Sequence, residues 1–112
     1  MSQLAQDLDA DLASAKEAVD KGDVIRGLRL IGGMALELVG MITLAIAAMK
    51  VLTVVTGGIA MLGLPWLANG IVHMVRMYAP RIAQHYTSLS REERKQVRAA
   101  LKFLGMGADA FL

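Results

Sequence analysis

The chain has no cysteine, only two prolines, and few aromatic residues: two Phe, two Tyr and one Trp. Without cysteine there is no disulfide framework and no thiolate metal site. The two histidines, His73 and His85, are twelve positions apart with no HExxH pattern, which argues against a zinc centre. No GxSxG, Walker A or GxGxxG sequence occurs, so the common nucleophile-elbow and phosphate-loop chemistries have no motif here. The basic residues near the C-terminus are mixed with Glu92 and Glu93 and lack interleaved stacking aromatics, so no nucleic-acid partner is expected. No cofactor is called for, and the chain reads as non-enzymatic. A basic n-region followed by an apolar stretch is also missing, because residues 1–23 are acidic and polar.

What is present is apolar. The 112 residues are 55% hydrophobic, which excludes disorder and allows one domain over 1–112. The formal charge of +2 hides three zones. Residues 1–29 carry four basic and six acidic groups, residues 30–75 carry only Glu37 and Lys50, and residues 76–112 carry seven basic and three acidic groups. Leu30–Met49 and Val51–Val75 are each long enough to cross about 30 Å of hydrocarbon as helices. The expected fold is therefore all-α: a membrane helical hairpin of two transmembrane helices flanked by amphipathic helices.

The element map follows from periodicity and breakers. Leu4, Leu8, Leu12, Ala15 and Val19 recur at helical spacing, which predicts an amphipathic helix over 3–22 closed by Gly22. Asp23 is a candidate N-cap for a first membrane helix over 24–55. The inter-helix turn falls either around Lys50 or at Gly57-Gly58, the latter being the stronger breaker. A second membrane helix over 59–79 contains Pro65, which should kink it, and Trp66, which should pack on a neighbouring helix. Pro80 should bend or end it after Tyr78. Ser90 and Glu93 form a capping box for a basic amphipathic helix over 90–104. Its apolar stripe is Val97, Leu101 and Leu104, and Gly105 closes it.

Polar residues inside an apolar zone attract functional attention, since burying a charge in lipid costs about 2.5–3.5 kcal/mol on insertion scales. Asn69, His73 and Arg76 share one helix face, and in an antiparallel hairpin Glu37 lies level with Arg76 or His73. An intramembrane contact among Glu37, Asn69, His73 and Arg76 is expected, chiefly to fix register. Gly33, Gly40, Ala47, Gly63 and Gly70 offer small faces for close helix packing, which favours a homo-oligomer. Arg26, Arg29, Arg81, Arg94, Lys95 and Arg98 would meet anionic lipid headgroups. The charge placement puts both termini in the cytoplasm and the turn outside.

In layout, with two apolar spans and a basic C-terminal tail, the chain is similar to the holins of phages. That likeness implies a bacterial or phage membrane protein that forms pores or permeabilises the bilayer. Conjugative pilins also look like two apolar helices joined by a short basic turn, a place Lys50 would suit, which implies the structural subunit of a filament. A third expectation is a scaffold or regulator that binds a membrane partner through its amphipathic ends.

Overall fold

The computed structural model describes residues 2–14, 19–34 and 65–112. These residues form helices and no strands: α1 (Gln3–Ser14), α2 (Lys21–Met34), α3 (Pro65–Met77), α4 (Ala79–Tyr86), α5 (Arg91–Phe103) and a closing 3-10 turn (Ala108–Phe111). The all-α class is thus established. The membrane reading is not. Among the described residues no helix is long and apolar enough to cross a membrane. This overturns the two-span topology, its cytoplasmic termini and the pore that depended on them.

The physical reason is visible in α2. Its buried positions are Val24, Gly27, Leu28, Ile31 and Gly32, a single face at three- and four-residue spacing. Arg26 and Arg29 point to solvent on the other side. A helix with one apolar face packs on a protein core, and among the described elements α2 makes its most extensive contact with α5. On α3, Val75 is buried while His73, Arg76 and Met77 are exposed, so this helix too has two unlike faces.

The boundaries moved for local reasons. Ser2 caps α1, its Oγ accepting from the Ala5 N–H at 3.1 Å. Leu4, Ala5 and Leu8 are buried, but Leu12 is 62% exposed and Val19 44%, so the expected stripe works only over its first two turns. Gly22 does not break the chain, because it lies in the first turn of α2. The cap of that helix is Asp20 rather than Asp23: Asp20 Oδ1 accepts from the Gly22 N–H at 3.0 Å, and its carbonyl accepts from the Val24 N–H. Asp23 sits inside the first turn, where its charge favours the helix dipole.

Pro80 acts as expected. Tyr78 leaves the helical course (φ −99°, ψ 8°) and α4 restarts with proline in its first turn. Proline has no N–H to donate to the carbonyl four residues back, so one apolar run becomes two helices. The capping box on α5 is complete, with Glu93 N–H donating to Ser90 Oγ and Ser90 N–H to Glu93 Oε1. Gly105 adopts φ 76°. The Gly105 and Met106 N–H groups donate to the Lys102 and Leu101 carbonyls, a Schellman closure. Met106 and Leu101 are both buried, supplying its apolar contact.

One core runs through all of these elements: Leu4 and Leu8 of α1, Leu28 and Ile31 of α2, Ile82 and Tyr86 of α4, and Val97 and Leu101 of α5. Phe111 of the 3-10 turn is buried against it, and the Ser2 hydroxyl donates to the Phe111 carbonyl at 2.7 Å. The two ends of the chain are tied together by that contact.

Candidate functional site

The densest polar cluster joins α1, α4 and α5. Asp7 and Asp11 lie four apart on α1 and therefore share a face. Arg98 and Lys102 are four apart on α5 and face them. Arg98 Nε donates to Asp11 Oδ2 at 2.8 Å and Nη1 donates to Tyr86 Oη at 2.8 Å. The Tyr86 hydroxyl donates in turn to Asp7 Oδ2 at 2.5 Å. Lys102 Nζ is 3.2 Å from Asp11 Oδ2, and Arg98 Nη1 is 3.6 Å from Asp7 Oδ2. Gln3 Nε2 completes the shell of Asp7, donating to Oδ1 at 2.8 Å.

The electrostatics hold Asp11, Tyr86 and Arg98 each in one protonation state. Burial pushes the Asp11 carboxyl up, but hydrogen bonds from Arg98 and Lys102 and their positive charges outweigh it, so its pKa falls below the usual carboxylate value. Burial and the hydrogen bond to Asp7 push the Tyr86 phenol up to about 12, against the opposing influence of Arg98. Burial alone would lower Arg98, and its bonds to Tyr86 and Asp11 reverse that. A carboxylate held ionised and a phenol held neutral are poor proton-transfer agents near pH 7. The geometry suits a clasp between helices.

Tyr86 gives this a signature. Its raised pKa favours the folded state fully below pH 10, and that contribution is lost as pH rises from 10 toward 12. Phenolate absorbance near 295 nm is therefore expected to show a component titrating near 12, absent from Tyr86→Phe; a wild-type titration complete by about pH 10.5 would contradict the assigned environment.

Beside the clasp, Arg94 stacks its guanidinium over the Tyr86 ring, Cζ lying 5.6 Å from the centroid. Its Nη2 donates to the Thr87 carbonyl at 2.6 Å, while its Nε is closed off from solvent with no acceptor. An open groove of about 430 Å³ runs between the two helices here, lined by Asp7, Ala10 and Asp11 of α1 and by Arg91, Arg94 and Arg98 of α5. Among the described residues no three His, Asp or Glu side chains converge as metal ligands.

The residues singled out from sequence fare differently. Arg98, expected at lipid headgroups, is instead committed to Asp11 and Tyr86 with its side chain 16% exposed. Arg94 is half-buried over Tyr86, whereas Arg26, Arg29, Arg81 and Lys95 are exposed. The apolar stripe that would press α5 onto lipid, Val97 and Leu101, is buried in the core, and Leu104 is partly buried. His73 and Arg76 are exposed on α3 rather than enclosed between spans. Asn69 and Gly70 lie on the same helix and Gly33 lies on α2. Glu37, Gly40, Ala47, Lys50, Gly57, Gly58 and Gly63 are outside the described residues, and so is any contact of Glu37 with His73 or Arg76. The side chains of Trp66 and Asn69 are outside them too.

Sequence reading missed Asp7, Asp11, Tyr86 and Lys102. The available signal was the matched spacing: two acids four apart on one amphipathic helix, and Arg94, Arg98 and Lys102 at the same interval on another. It also missed Gly27. A Cβ built there would stand 2.0 Å from the Gln96 carbonyl oxygen and 2.7 Å from the Ala100 Cβ, so α2 and α5 touch through this glycine. Its place among Val24, Leu28 and Ile31 on one helix face was the clue.

Comparison with protein-family models, curated proteins and solved structures finds no match to any of them.

Proposed function

We propose that this protein is a non-enzymatic scaffold or regulator that works as a homo-oligomer. The observation carrying this reading is the state of the polar cluster: its charges are matched across helices and its phenol is kept neutral, an arrangement that holds α1, α4 and α5 together. The sequence adds to this reading. Between Met34 and Pro65 the only ionisable side chains are Glu37 and Lys50, and Gly40, Ala47 and Gly63 are spaced through that stretch. Met77, 60% exposed, and Leu12 add apolar surface on the described helices.

Sedimentation equilibrium tests the proposal. The expected mass is a fixed multiple of 12.0 kDa, reduced toward one chain by Gly40→Leu. A single-chain mass at all concentrations would refute it.

A further inference from the structure

We propose that the groove between α1 and the start of α5 binds a phosphate-monoester group, held by Arg91 and Arg94. Charge matching is the first reason. The two carboxylates on the α1 side are answered by Arg98 and Lys102. Arg91 and Arg94 have no carboxylate within ion-pair distance among the described residues, and Glu93, adjacent in sequence, is turned to the Ser90 N–H. Among the described residues, Arg91 and Arg94 therefore line the groove without a paired carboxylate.

Donor supply is the second reason. Arg91 is exposed. Arg94 is held in place by the Tyr86 ring and the Thr87 carbonyl, and among the described residues its Nη1 has no acceptor. A guanidinium fixed by packing loses little freedom on binding, and its planar fork matches phosphate oxygens. A phosphate monoester carries about −1.5 to −2 charges at pH 7, which balances the pair; a carboxylate balances only half. Size is the third reason. A groove of about 430 Å³ exceeds a bare phosphate, leaving room beside Ala10 for the organic part of an ester.

Calorimetric titration of the full chain with phenyl phosphate provides the test, with benzoate as the carboxylate control and vesicles containing phosphatidic acid as a second arm. Saturable one-to-one binding of phenyl phosphate is expected, at least tenfold tighter than benzoate. The double variant Arg91→Gln/Arg94→Gln should weaken it at least tenfold. Ala10→Phe, which fills an exposed part of the groove without altering charge, should do the same and serves if the double variant fails to fold. In the wild type, the Arg94 guanidinium resonances should shift on titration. Absence of saturation, equal affinity for benzoate, or binding unaffected by Ala10→Phe would overturn the proposal. Binding to phosphatidic-acid vesicles without binding of the soluble ester would overturn it as well, by showing that the bilayer surface rather than the groove is recognised.

Discussion

Arg98→Ala is expected to destabilise the fold by about 3 kcal/mol, near the lower end for breaking a buried ion pair. The guanidinium serves three partners at once: Asp11 at 2.8 Å, the Tyr86 hydroxyl at 2.8 Å and Asp7 at 3.6 Å. Its removal leaves two carboxylates without their main counter-charge in a half-buried place. The figure is not larger because Lys102 still reaches Asp11 and the cluster keeps some access to water. In urea the unfolding midpoint should fall by at least about 1 M, given slopes of roughly 1–3 kcal/mol/M. Arg98→Lys should recover only part of the loss, since an ammonium cannot reproduce the fork that spans Asp11 and Tyr86. A midpoint unchanged by Arg98→Ala would mean that the three helices do not depend on this side chain.

Gly27→Ala is the second large effect. Helix propensity alone favours alanine by about 1 kcal/mol. Here the added methyl meets the Gln96 carbonyl oxygen at 2.0 Å, and the obstacle is backbone, which cannot swing aside. The helices must separate, loosening Leu28, Ile31, Val97 and Leu101 together. Overpacking costs about 1–3 kcal/mol; at this contact the upper end should prevail, lowering the melting temperature by on the order of 10 °C. Gly22→Ala is the internal control. Its Cβ would meet only the Asp20 carboxylate at 3.7 Å, an ordinary contact, so this variant should be neutral or slightly more stable. Equal melting temperatures for the two variants would remove Gly27 from the helix crossing.

What was legible in the sequence were the features carried by neighbours in the chain. Ser90 with Glu93, Gly105 after Leu104, Pro80 after Tyr78, and the Leu4–Leu8 stripe each act within one or two turns. The rest depends on residues far apart. Tyr86 and Asp7 are 79 positions apart, Arg98 and Asp11 are 87, and nothing local says that these charges meet. The membrane expectation failed through averaging. The spans Leu30–Met49 and Val51–Val75 are read from summed hydropathy, which does not register that Ile31 and Val75, in their described parts, are buried in a protein core. The face of α2 that carries Gly27 fits against α5. Asp23 reads as the cap because Gly22 reads as a break, whereas the first turn of α2 tolerates that glycine.

The central claim is that the polar cluster clasps the helices. A double-mutant cycle on Asp11 and Arg98, read by urea denaturation of Asp11→Asn, Arg98→Ala and the double variant, tests it most directly. A coupling of about 1.5 kcal/mol or more is expected, within the range found for contacting residues in one network. Additive single effects, with coupling near zero, would contradict it.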